Sequence, residues 1–252
     1  MKVMVLSSGS KGNTTYIETG KIKLLLDAGN SCKYITNKLD SINVSLEMLD
    51  AIFLTHTHSD HINGLKVLSK KINCPIYMTD GIHKELEYIE NYRLIESDIL
   101  EIGDLIINVI RTSHDAPDSV GYVFTSDNKS LVYVTDTGYI NRKYFDILSN
   151  KNMYIFESNH DVEMLTNGTY PFELKKRILS DKGHLSNYDS AKYLAKFIGN
   201  NTKCILLAHL SEENNTKDLA MNTLKNRLEK ENITFNNIRI LEQNKETELI
   251  NI

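Results

Sequence analysis

The segment Thr55-His56-Thr57-His58-Ser59-Asp60-His61 places three of the chain's eight histidines and an aspartate within seven residues. An H-x-H-x-D-H pattern arises by chance in about one in two thousand chains of this composition, so it is a specific signal for metal ligation. His56 and His58 stand two apart, and in an extended segment their imidazoles project to the same side. A turn after them lets Asp60 and His61 face a second point close by. One short segment thereby begins two metal sites.

The remaining candidates follow one rule: an apolar run that reads as a strand stops, and a histidine or an acid comes next. His114 follows the run 105–111, Asp136 the run 130–135 and His209 the run 204–207. With the opening motif these make five histidines and two aspartates. Such a mixture suits Zn²⁺, Mn²⁺ or Fe²⁺, and no thiol lies near in sequence to select zinc. The number of groups suits two ions about 3.5–4 Å apart. A site of that kind acidifies a bridging water, keeps a hydroxide nucleophile at neutral pH and clamps a carbonyl or phosphoryl oxygen. Asp27, at the end of the buried run 23–27, suits two roles equally: orienting a metal-bound imidazole or capping a turn.

The elements that must position these groups are short strands alternating with helices. Strands are expected at 2–6, 14–19, 23–27, 51–54, 75–78, 105–111, 120–125, 130–135, 153–156, 204–207 and 238–241. Helices are expected at 31–39, 62–71, from Asp80 to about 91, 142–148, after Pro171, after Ser186 and at 215–231. Ser186 with Asp189 three residues on resembles a capping box. The motif at 56–61 then lies on a strand-to-helix turn. The glycine-rich loop 7–13 lacks the spacing of a phosphate-binding loop; it is equally a hairpin connection or a site-lining loop. His83 is expected to be structural, and Asp115 and Asp118 to shape their loop. The run Lys175-Lys176-Arg177 reads first as a solvated face and second as a phosphate contact.

Composition bounds the rest. With 252 residues, 41% hydrophobic and 25% charged, the chain is globular. No repeat or linker interrupts it, so 1–252 is expected to be one domain. A net charge of −4 argues against a surface basic all over, but not against a positive site made by metal ions. Cys32, Cys74 and Cys204 are widely spaced and odd in number, which fits buried thiols in a reducing compartment. The start is too short in apolar residues for a signal peptide, and no stretch could span a bilayer; a cytoplasmic protein with no membrane partner is expected.

The ordered series His56-x-His58-x-Asp60-His61, His114, Asp136, His209 resembles the ligand series of the metallo-β-lactamase-fold hydrolases, over nearly the whole chain. Within them, the loop Ser-Ser-Gly-Ser-Lys-Gly-Asn, Leu-Leu-Asp-Ala-Gly, Glu157-Ser-Asn-His-Asp, Gly-His184-Leu-Ser-Asn and Ala-His209-Leu-Ser resemble the YycJ/WalJ group. The resemblance implies an α+β, four-layer αββα sandwich. It implies that His56, His58 and His114 hold one metal, that Asp60, His61 and His209 hold the other, and that Asp136 bridges them. It makes Asp60 also catalytic, facing the bridging hydroxide. By position His209 matches the last ligand and His184 the catalytic histidine, though both occupy His-Leu-Ser contexts.

His184 could then protonate a leaving oxygen or hold a phosphate oxygen, with Glu157 orienting it. His160 is equally a substrate-binding residue or a helix cap. The implied function is a dinuclear, Zn- or Mn-dependent phosphodiesterase or nuclease (Fe being a further option). Its substrate would be DNA or RNA offered as a single strand or an end, as an exonuclease requires. Hydrolysis of a lactone, thioester or other carbonyl substrate is the alternative. A metal-dependent regulatory module without turnover is the non-enzyme alternative.

Overall fold

The short apolar runs become, in a computed structural model that describes residues 1–252, two seven-stranded sheets. β1 (Lys2–Ser7), β2 (Thr14–Glu18), β3 (Lys23–Leu26), β4 (Ala51–Phe53), β5 (Ile76–Met78) and β6 (Tyr92–Leu94) lie side by side in chain order. β7 (Ile99–Ile102), β8 (Leu105–Arg111), β9 (Val120–Ser126), β10 (Lys129–Val134), β11 (Met153–Glu157), β12 (Cys204–Ala208) and β13 (Ile238–Ile240) do the same in the second sheet. β14 (Ile250–Asn251) returns to pair antiparallel with β1. Each sheet is mixed, with antiparallel strands first and parallel strands after.

The inner faces share one apolar core. Val3, Ile17, Leu24 and Phe53 of the first sheet meet Ile107, Phe124, Leu131 and Leu206 of the second. Phe53 is the pivot, stacked on Tyr77 at 4.6 Å and edge-on to Tyr122 and Phe124 at 5.5 and 6.0 Å. The outer face of the first sheet is covered by α1 (Cys32–Asp40) and by the short helices α2 (Ser59–Ile62), α3 (Leu65–Leu68) and α4 (Asp80–Glu85). In the second half come α5 (Phe145–Leu148), α6 (Val162–Asn167), α7 (Phe172–Ile178), α8 (Asn187–Phe197) and α9 (Lys217–Lys230), of which α5, α8 and α9 cover the second sheet. The αββα layering is therefore present. Burial on both faces explains why β3 and β12 read as unbroken apolar runs rather than alternating ones.

Some elements differ from expectation. The helix expected at 62–71 is two single turns beginning at Ser59. The loop after β3 diverts its backbone: Ala28 N donates to His61 O and Gly64 N to Ala28 O, both at 2.8 Å. A Cβ on Gly64 would lie 2.0 Å from Asn30 O, so only glycine permits that approach. Asp80 is the first residue of α4, with Thr79 before it, and α4 ends at Glu85. The stretch 142–148 opens as a 3₁₀ turn before α5. β6, β7 and β14 were not expected. They lie at or beside sheet edges and are partly exposed, so their apolar signal is weak. All three cysteines are buried and free. No helix is long and apolar enough to cross a membrane.

Candidate metal centre

Strand direction brings the candidates to one edge. β3 and β4 are parallel neighbours, and so are β10, β11 and β12. β8 runs the same way as β10, because both pair antiparallel with β9. The carboxyl ends of these strands carry Asp27, the turn 55–61, His114, Asp136, Glu157 and His209, the usual location of sites in sheets of this type. Val120 N donates to Thr55 O at 2.9 Å, joining the two sheets at that edge. Asp27, Asp136 and His209 have φ of 60°, 57° and 56°. Left-handed backbone costs each about 1–2 kcal/mol, a strain typical of functional sites. It reverses the chain as soon as the strand stops.

The seven candidate ligands come together. His56, His58 and His114 offer one set of donor atoms lying within 4.8 Å of one another, and Asp60, His61 and His209 a second. His58 Nδ1 and His114 Nε2 are 3.1 Å apart, close to the spacing of about 3.4 Å for two nitrogens on a tetrahedral ion. His209 Nε2 is 3.3 Å from Asp60 Oδ2. Asp136 reaches both sets: Oδ2 is 3.2 Å from His61 Nε2, and Oδ1 is 3.8 Å from His114 Nε2 and 3.4 Å from His209 Nδ1. His56 Nε2 is buried without a hydrogen-bond partner. An orphaned buried ring nitrogen is costly, and a divalent cation would satisfy it. The residues present therefore fit a metal centre.

A supporting layer holds the ligands. His61 Nδ1 lies 2.7 Å from Asp27 Oδ2, and Asp27 also accepts from Thr55 N and Thr55 Oγ1 at 2.8 and 2.9 Å. Of the two roles open to Asp27, orientation of an imidazole is the one its position supports. Glu157, fully buried, accepts from Thr137 N and Leu185 N through Oε2. Its Oε1 lies 2.8 Å from His184 Nδ1 and 3.0 Å from His209 Nδ1. The glycine-rich loop is site-lining: Asn13 Nδ2 donates to Asp60 Oδ2 at 3.0 Å, and Ser8 Oγ accepts from His209 N at 2.9 Å. Asn13 and Ser8 were missed in sequence; the only signal was the loop's ambiguity.

Protonation follows from the buried charges. Burial lowers His56 and His114, and also the half-exposed His58, below the ordinary imidazole range, so these rings offer neutral lone pairs. Burial acts downward on His61 too, but Asp27, Asp60 and Asp136 outweigh it and raise the ring well above that range. His209 is likewise carried, against burial, to about 10 by Asp136, Asp60 and Glu157. Burial pushes Asp136 up, yet His209 and His61 hold it well below the carboxylate range. Protons here balance clustered acids, a role that metal cations take over on binding.

A cleft of about 380 Å³ opens over these groups, and Ser10, Asn159, Tyr170, Leu174, Arg177 and His184 line it beside Asp60, Asp136 and His209. The side chain of His184 is 17% exposed and that of His209 4%, so His209 is the more enclosed of the two His-Leu-Ser histidines, although both line the cleft and both lie beside Asp136. His160 is buried, does not line the cleft, and sits with Nδ1 3.3 Å from Asn159 Oδ1. The basic run divides. Lys175 Nζ caps the carbonyls of Thr166 and Gly168, Lys176 is exposed, and Arg177 enters the cleft wall paired with Asp115. Asp115 does more than shape its loop, since Oδ1 also lies 3.7 Å from His58 Nε2. Asp118 is structural, accepting from Gly81 N at the start of α4. His83 packs at a tilt against Tyr92, away from the centre.

The sequence profile of the metallo-beta-lactamase superfamily matches residues 8–209. Exodeoxyribonuclease WalJ of Streptococcus pneumoniae is 45% identical over 236 residues, covering 90% of this chain and 88% of its own. Exodeoxyribonuclease YycJ of Bacillus anthracis is 40% identical over 223 residues, covering 86% and 84%. The crystal structure of the metallo-beta-lactamase fold protein YhfI from Bacillus subtilis superimposes with a TM-score of 0.71 over 98% of this chain and 99% of its own, at 18% identity. That likeness is one of fold.

Proposed function

The chain belongs to the metallo-beta-lactamase superfamily, and from that premise we propose that it is a metal-dependent phosphodiesterase that degrades DNA from an end. Residues 1–252 are taken as a single domain, supported by the core that both sheets share. Two divalent cations, zinc or manganese, held by His56, His58 and His114, by Asp60, His61 and His209, and by Asp136 between them, would supply Lewis acidity toward phosphoryl oxygens and an activated water.

The proposal rests first on His184. Its ring faces the cleft, and Glu157 Oε1 holds Nδ1 at 2.8 Å. That fixes the tautomer and leaves Nε2 for substrate. A phosphodiester leaves as an alkoxide, which needs a proton; protonated His184 gives it from Nε2 while Glu157 steadies the ring. Burial would push the Glu157 carboxyl up, but His184 and His209 hold it down at about 2, so it stays an anion under working conditions. Asn159, with His160 behind it, and Arg177 flank the place where a phosphate lies. The names of the two bacterial relatives support DNA and end-dependence.

The test is digestion of linear DNA and RNA carrying 5′ or 3′ labels, with Mn²⁺ or Zn²⁺, beside closed circular DNA. Nucleotides are expected from linear DNA and none from the circle. Cutting of the circle would rule out end-dependence. Hydrolysis of a lactone or thioester with no phosphodiester cleaved would assign the carbonyl alternative. Metal binding without turnover on any substrate would assign a regulatory module.

A further inference from the structure

A second concavity, of about 440 Å³, lies between the segment that leaves β10 and helix α8. Three cations line it, Arg142, Lys192 and Lys196, with three aromatic rings, Tyr139, Phe145 and Tyr193, and no acid. None of these cations forms an ion pair, whereas Lys38, Arg177, Lys217 and Arg239 each face a carboxylate. Lys192 and Lys196 lie one turn apart on the exposed side of α8, where like charges repel. Lys196 Nζ sits 5.2 Å from the Phe145 ring centroid, and Tyr139 is 42% exposed at the mouth. In a chain of net charge −4 this is a local concentration of unmatched positive charge beside one exposed ring, Tyr139, while Phe145 and Tyr193 pack against each other and Phe197.

Both walls follow in sequence from residues of the catalytic cleft. Tyr139 follows Asp136 by three residues. Between them Thr137 donates from N to Glu157 Oε2 at 3.1 Å and from Oγ1 to Tyr139 O at 2.7 Å. α8 starts three residues after His184. Ile140 N donates to the Tyr193 hydroxyl at 3.2 Å, which closes the two walls on each other. Unpaired cations tracking a backbone, with aromatic faces for bases, are the arrangement that binds single-stranded nucleic acid.

We propose that this pocket is a second nucleic-acid contact, holding phosphates and a base of the strand that flanks the cleavage point; it rests on the phosphodiesterase reading above. Lys192 and Lys196 are separated by a helical rise of about 6 Å, so the two ammonium groups reach neighbouring phosphates of one strand. The site binds the strand and takes no part in bond cleavage.

The test compares wild type, the Lys192→Ala/Lys196→Ala double variant and Arg142→Ala, in the metal-loaded full chain, on a single-stranded DNA oligonucleotide and on bis-p-nitrophenyl phosphate. In the double variant the oligonucleotide KM is expected to rise about tenfold at low salt. The slope of log affinity against log salt is expected to fall by about 1.4, two contacts at about 0.7 each. Hydrolysis of bis-p-nitrophenyl phosphate stays unchanged, and Lys192→Arg/Lys196→Arg restores the slope. If wild type degrades the oligonucleotide and the alanine variants keep its KM and salt slope, the second contact does not exist. If wild type hydrolyses bis-p-nitrophenyl phosphate but no oligonucleotide, the nucleic-acid reading itself fails and this site with it.

Discussion

Glu157 Oε1 stands 2.8 Å from His184 Nδ1, and the same oxygen stands 3.0 Å from His209 Nδ1. One buried carboxylate thus couples the more exposed histidine, His184, to the more enclosed one, His209. The two backbone amides on Oε2 keep it from rotating away.

In the proposed mechanism His184 acts on the leaving group, so its loss should depend on how much help that group needs. His184→Ala is expected to lower kcat on DNA by about 10²–10⁴-fold. On bis-p-nitrophenyl phosphate, whose leaving group needs little protonation, the loss should be much smaller. Steady-state kinetics on both substrates checks this; equal losses would mean that His184 orients substrate and does not transfer a proton.

Asp60 belongs to the second donor set and carries little of the core. Asp60→Asn should abolish most turnover, lower the bound metal per chain and leave the metal-free melting temperature within a few degrees of wild type. Metal analysis beside a thermal melt gives the answer. A variant with full activity would misplace the whole centre.

Asn13 holds Asp60 through Nδ2 at 3.0 Å while Gly9 fixes the amide from the other side. Asn13→Ala is expected to weaken the metal held by Asp60 by about 10–100-fold, the usual cost of losing a ligand's outer partner. Chelator competition measures it without reference to activity. Unchanged affinity would reduce Asn13 to a loop-former.

His160 is held by burial at about 4, against an ordinary imidazole value of 6.5. The folded state therefore refuses a proton that the unfolded chain accepts. Stability is fully present above about 6.5 and is lost as pH falls toward 4, by about 3 kcal/mol in total. Urea unfolding at pH 7 and pH 5 should show a smaller loss for His160→Gln than for wild type. Parallel losses would show that the acid sensitivity comes from other groups.

The strands and the opening motif could be read from the chain because their determinants are local. Leu24-Leu25-Leu26 and Ile205-Leu206-Leu207 are apolar without alternation because both faces are buried, and that pattern is visible in any window. The spacing of His56, His58, Asp60 and His61 is set by one turn of backbone. His114, Asp136 and His209 were legible because each follows an apolar strand.

Other features were decided only in three dimensions. Asn13 meets Asp60 across 47 positions and Ser8 meets His209 across 201; neither pair leaves a local trace. Asp27 was ambiguous until the chain fold put His61 against it at 2.7 Å. His184 and His209 share a sequence context and a bond to the same Glu157 oxygen, and only their burial differs. The expected helix at 62–71 failed for a tertiary reason, because the loop at 28–30 takes the backbone bonds it needed. Local spacing determined which residue types could bind metal. Their assembly into one centre came from strand direction, which points the carboxyl ends of both sheets at a single edge.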